Sequence, residues 1–139
     1  HDARELRLRA AIDDEHARDT VAPARRLGQQ RHVEQDRAAG KPGVPCAAVD
    51  KATRDVIEAA GYGKYFTHRT GHGIGMEGHE EPYMRGDNMQ ILEPGMAYTV
   101  EPGIYLTNRN GVRIDDNVVV TEYGTDCLSD MPREIQVVG

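Results

Sequence analysis

The stretch FTHRTGHGIGMEGHEEPY, residues 66–83, sets three histidines (His68, His72 and His79) and three glutamates (Glu77, Glu80 and Glu81) among four glycines. Imidazoles and carboxylates at this density bind a divalent cation, move protons, or line a polar surface loop. His68 and His72 are four residues apart, but Gly71, Gly73 and Gly75 argue against a helix, which excludes the helical His-Glu-x-x-His arrangement of a zinc site. In an extended chain residues 68, 70 and 72 share one face. The glycines would let the backbone approach a ligand closely.

Two further polar positions stand where strands do not want them. In AYTVEPGIY, Glu101 closes a strand ahead of a Pro-Gly turn and is the only charge between Pro94 and Asn108. An ionised carboxylate cannot be buried without a partner. Glu101 therefore sits at the solvent-facing mouth of the turn or is held by a cation. In GVRIDDNVVVT, Arg113 and Asp115 alternate with Val112 and Ile114 and so share a strand face. They form a surface ion pair of little consequence, or a buried pair beside a metal. The VVV run that follows suits burial on both faces. Three histidines with Glu101 and Asp115 form a more specific set, and a site of one imidazole and several carboxylates favours a hard or borderline ion such as manganese or cobalt over a thiolate-type zinc site.

The elements that must position these groups differ along the chain. Residues 1–40 hold eight arginines against eight acids and few large apolar side chains, and read as an atypical, helical segment. Residues 41–139 carry the whole net charge of −6. There, KPGVP makes a turn, and Cys46, Val49, Thr53, Val56, Ile57 and Ala60 recur at helical spacing. Pro45 suits the first helical position and Gly61 the C-terminal cap. MAYTVEP (96–102), GIYL (103–106) and GVRIDDNVVVTEYG (111–124) read as short antiparallel strands joined by tight turns. The class is α+β: a helix, then a curved antiparallel sheet. The acidic balance argues against nucleic acid as a partner, and no apolar run reaches the roughly 20 residues of a membrane span. Cys46 and Cys127, far apart and without a CxxC, read as free structural thiols of a cytoplasmic protein.

At these residues the chain resembles a known family. HRTGHGIGMEGHEEPY, LEPGMAYTVEPGIY and GVRIDDNVVVTEYG look like successive blocks of the proline-specific metallopeptidases with the pita-bread fold, which include prolidase (Xaa-Pro dipeptidase) and Xaa-Pro aminopeptidase. PGVPCAAVDKATRDVIEAAGYGKYF resembles the helix before the first block. The likeness covers residues 41–128, with 29 residues from His72 to Glu101 and 14 from Glu101 to Asp115. It implies that residues 41–139 are the C-terminal half of a pita-bread domain acting on a proline-containing peptide. Methionine aminopeptidase shares the fold and the first block, but VEPGIY followed by GVRI resembles the proline-specific branch. A methionine-aminopeptidase-like enzyme stays as an alternative.

Carried over by position, the resemblance implies that His72, Glu101 and Asp115 ligate two divalent ions, manganese first, with cobalt or zinc as alternatives. Glu101 would also serve as base, and His79 would donate to the developing oxyanion. His68 would hold substrate near its proline, and Arg113 would orient Asp115. Paired ions bring the pKa of a shared water towards neutrality and polarise the scissile carbonyl.

Asp115 stands where the family has Glu, one methylene longer. The family's two further aspartates, eleven residues apart, have no clear counterpart. Asp2 and Asp13 have that spacing but lie in a helical pattern, and HDAR fits better as a remnant around the second aspartate, Asp2. A truncated chain is the expectation, active as a peptidase or surviving as an inactive pita-bread module that binds a partner. With sheet edges left uncovered, a homo-oligomer is expected.

Overall fold

The computed structural model describes residues 39–109 and 111–130, so the expectations for residues 1–38, Asp2 among them, lie outside the described residues. Helix α1 spans Cys46–Ala59. Cys46, Val49, Thr53 and Ile57 recur every three to four residues and are all buried, which selects the face that packs. On the opposite face Lys51 and Asp55 pair at 2.6 Å. Pro45 occupies the N-cap with extended backbone, one position ahead of the first-turn site expected. The helix stops at Gly61, whose φ of +84° suits a residue without Cβ. A 3-10 turn, Gly63–Tyr65, leads into the histidine stretch.

Among the described residues seven short strands follow: β1 (Gly71–Gly73), β2 (Glu80–Met84), β3 (Ala97–Val100), β4 (Gly103–Tyr105), β5 (Gly111–Arg113), β6 (Asp116–Val120) and β7 (Thr125–Cys127). Five form an antiparallel sheet in the order β2-β1-β3-β6-β7, and β4 with β5 forms a separate ribbon. One face of the larger sheet meets α1. Cys46 and Val49 pack there with Met84, Leu92, Tyr98, Val100, Val118 and Val120. Each such side chain contributes about 1.5–3 kcal/mol relative to exposure, which fixes helix against sheet. Because Tyr98 and Val100 face the helix, the period-2 alternation sends Thr99 and Glu101 to the opposite face. A smaller cluster of Ile57, Phe66 and Ile104 ties the end of α1 to the ribbon.

Two expectations need correction. The run 111–124 is not one strand. Its first part pairs with β4 and its second with β3, and Ile114 and Asp115 lie in the break where the chain changes sheets. Arg113 and Asp115 therefore share no strand face. Residues 68, 70 and 72 do not share one either: Thr70 turns to α1, while His72 turns to Glu101. The register of β1 against β2 shifts between Gly71 and Gly73, which breaks the simple alternation. Among the described residues no helix is long and apolar enough to cross a membrane. Both cysteines are free, Cys46 buried and Cys127 half-buried.

Candidate metal centre

His72 and Glu101 come together from β1 and the end of β3. The His72 Nε2 lies 3.3 Å from Glu101 Oε1, with both side chains largely buried. The other ring nitrogen, Nδ1, lies 2.9 Å from the Gly73 carbonyl. A carbonyl oxygen only accepts, so Nδ1 donates to it and the ring turns Nε2 towards Glu101. At this distance Nε2 donates to the carboxylate when the ring carries both protons, and as a bare nitrogen it would face the carboxylate across a cation.

Thr99 organises this pair. Its hydroxyl accepts the His72 backbone N–H at 3.0 Å and donates to Glu101 Oε1 at 3.1 Å. Glu101 is 9% exposed, so the carboxylate is interior and held, as burial demands. Its second oxygen, Oε2, meets Arg113 Nη1 at 3.6 Å. Arg113, expected to orient Asp115, thus reaches Glu101 and acts on Asp115 through its charge.

Asp115 is exposed overall, yet the protein around its carboxyl pushes its pKa up, and the negative charge of Glu101 adds to this. Arg113 and His72 pull the other way without cancelling it. Among the described residues no three His, Cys, Asp or Glu side chains close into a group that would hold a metal ion by themselves. His72 and Glu101 meet, and Asp115 flanks them. An imidazole nitrogen, a buried carboxylate and a second carboxyl within reach of their charge are the donor types that hard and borderline divalent cations take.

His79 is exposed and sets its ring edge-on to His72, with centroids 4.2 Å apart. His68 lies farther along the same segment. Its Nδ1 donates to the Arg69 carbonyl at 2.7 Å, leaving Nε2 to accept from the Tyr105 hydroxyl at 3.0 Å. Its ring also stands edge-on to Phe66.

The glycines do not open the backbone to a ligand at this point. A Cβ on Gly71 would overlap the Thr99 carbonyl, and one on Gly73 would overlap the Glu81 carbonyl. They let β1 lie close between β2 and β3, which sets the depth of His72.

Sequence reasoning missed Thr99, Tyr105, Thr70, Asp50 and Arg54. Asp50 carried a signal: a charge inside the apolar stripe of α1, four residues before an arginine. The others are defined by contacts between distant segments.

His72 and Glu101 thus meet on the face of an antiparallel sheet turned away from its helix, in an α+β fold. Residues 30–122 match the metallopeptidase family M24, and the chain belongs to that family. The probable dipeptidase PepE of Mycobacterium tuberculosis is 52% identical over 98 residues, covering 70% of this chain and 26% of that protein. The X-Pro aminopeptidase of Thermotoga maritima superposes with a TM-score of 0.78 at 35% identity, covering 90% of this chain and 34% of its own. The prolidase of Pyrococcus horikoshii gives 0.77 at 33% identity, over 87% of this chain and 33% of its own. The fold is part of the pita-bread architecture of these relatives, and the chain spans a quarter to a third of their length.

Proposed function

We propose that this chain carries part of the active site of a proline-specific metallopeptidase and acts in the hydrolysis of Xaa-Pro bonds, as a dipeptidase. The observation that carries the reading is the buried His72 Nε2 facing Glu101 Oε1, with Asp115 within range of their charge. His72, Glu101 and Asp115 would hold divalent ions, manganese first. Bound divalent ions would supply Lewis acidity and a water that ionises near neutral pH.

The side chains supply the rest. Glu101, with Oε1 steadied by Thr99 and Oε2 by Arg113, takes the proton of the attacking water. His79, exposed beside His72, donates to the oxygen that gains charge as the carbonyl carbon becomes tetrahedral. His68, its Nδ1 fixed on the Arg69 carbonyl, presents a defined ring to the proline side of the substrate.

The test is hydrolysis of an Xaa-Pro dipeptide by the purified chain with Mn²⁺, with the Thermotoga maritima enzyme assayed alongside. Turnover that disappears in His72→Ala supports the reading; no turnover at high protein concentration sinks it for this chain. A second reading, an inactive module, is favoured by the absence of a closed three-ligand group among the described residues. Calorimetric Mn²⁺ titration separates the two. Two tight sites defeat the inactive module; one weak site, or none, supports it.

A further inference from the structure

Two charged residues that the candidate metal centre does not use lie where α1 meets the sheet. Asp50 is 1% exposed and one helical turn ahead of Arg54. Its Oδ1 accepts from the Thr70 backbone N–H at 3.0 Å and from the Thr70 hydroxyl at 2.8 Å. Its Oδ2 accepts from Arg54 Nε at 2.7 Å. The remaining arginine nitrogens reach onward: Nη1 donates to the Phe66 carbonyl at 3.2 Å and Nη2 to the His68 carbonyl at 2.6 Å. The guanidinium also lies 4.5 Å over the Phe66 ring.

A buried ion pair is weak support for stability, because apolar side chains of the same volume often do as well. Here it supplies direction instead. Every bond leaving the pair ends between Phe66 and Thr70, just ahead of His72. Thr70 then hands the constraint on, because its carbonyl accepts the Glu101 backbone N–H at 2.7 Å. One path of hydrogen bonds runs Asp50, Thr70, Glu101, and another runs Arg54 to His68. Both start on the helix, which the core holds against the sheet, and both end on residues of the candidate site.

We propose that Asp50 and Arg54 are positioning residues for this site. Asp50 sets the Glu101 segment through Thr70, and Arg54 sets His68 through its carbonyl. The inference rests on the reading of His72, Glu101 and Asp115 as metal ligands. It separates two effects: loss of the Asp50 bonds disturbs metal affinity, whereas loss of the Arg54 fork disturbs His68 and leaves the metal nearly untouched.

The full chain is compared as wild type, Asp50→Asn and Arg54→Lys, the lysine keeping a cation beside Asp50. In the metal-free protein, Asp50→Asn speeds hydrogen exchange at the Glu101 amide, and less at the Thr70 amide, which also donates to the Met84 carbonyl at 2.9 Å. The Val120 amide, bonded to the Met96 carbonyl elsewhere in the sheet, keeps its wild-type rate. In Mn²⁺ titrations Asp50→Asn raises Kd by about tenfold or more, as loss of a group that orients a metal ligand does, whereas Arg54→Lys stays below that range. In NMR spectra Arg54→Lys moves the His68 ring signal and leaves that of His72 in place.

Should Asp50→Asn fail to fold, Thr70→Val removes one of the two Thr70 bonds at constant shape and gives the same pattern at smaller amplitude. Wild-type exchange and affinity in Asp50→Asn, or equal loss of protection at Val120, overturns the proposal. If the wild-type chain takes up no Mn²⁺, the ligand reading fails by itself, and the exchange rates still decide whether Asp50 orders the Glu101 segment.

Discussion

At His72, the bond from Nδ1 to the Gly73 carbonyl does more than anchor the ring. It fixes the ring's orientation, and so leaves Nε2 as the nitrogen that faces Glu101. Removing that nitrogen by His72→Ala should weaken Mn²⁺ binding by on the order of 100-fold or more, since even partners one step removed from a metal cost 10–100-fold. Calorimetry would show it, and wild-type affinity in the variant would remove His72 from the ligand set. Asp115 makes a prediction with a definite sign. Its pKa in the metal-free fold lies above the ordinary 3.8, chiefly through burial and then through Glu101. The folded state therefore holds this proton better than the unfolded chain does. The associated stability is present below about pH 3.8 and is lost as pH rises through the raised value. In EDTA, Asp115→Asn should unfold at higher temperature than wild type at pH 7 and lose that advantage below pH 4. A lower melting temperature at neutral pH would contradict it. The thiols divide by burial. Burial pushes the Cys46 thiol up, helped by the charge of Glu81, so less of it is the reactive thiolate. A thiol reagent at pH 8 should label the half-buried Cys127 in the native protein and reach Cys46 only on unfolding.

At the scale of elements, the tight seat of β1 gives the sharpest mutational expectation. A Cβ on Gly71 would run into the backbone of β3, which cannot step aside without moving Tyr98 and Val100 out of the core. Gly71→Ala should cost about 3 kcal/mol or more, the upper range for overpacking. Gly78→Ala, with open space around it, should stay within about 0.5 kcal/mol of wild type. Urea denaturation of both variants checks the contrast, and equal stability would mean that the strand spacing is not what these glycines serve. This seat was not legible beforehand. Helix α1 was, because Cys46, Val49, Thr53 and Ile57 repeat at its period and Pro45 and Gly61 bound it. Glu101 was legible as an anomaly, a lone carboxylate in an uncharged strand that needed a partner. The break at Ile114 and Asp115 was not, since periodicity cannot say that a strand leaves one partner for another. Nor were the two paths from Asp50 and Arg54, whose ends lie 12 to 20 residues from their origins. Local pattern reveals which face an element buries. Which distant backbone group a side chain grips is decided only by the fold.

At the scale of the whole molecule, the described surface carries several exposed apolar side chains. Met76 is 99% exposed, Met89 67% and Leu128 62%. Among the described residues β2 and β7 are the outer strands of the larger sheet. Open edges and apolar side chains favour association, so sedimentation should find dimers or larger species, and monomer alone would count against it. The candidate metal site ties this surface to stability. A metal that binds only the folded chain shifts the folding balance by mass action. At a free Mn²⁺ concentration 100 times Kd, one site adds about 2.7 kcal/mol. For a chain of this size that raises Tm by roughly 10 °C. The gain should vanish with excess EDTA and be absent in His72→Ala. A wild-type Tm that does not respond to Mn²⁺ would mean that these side chains meet for a structural reason alone.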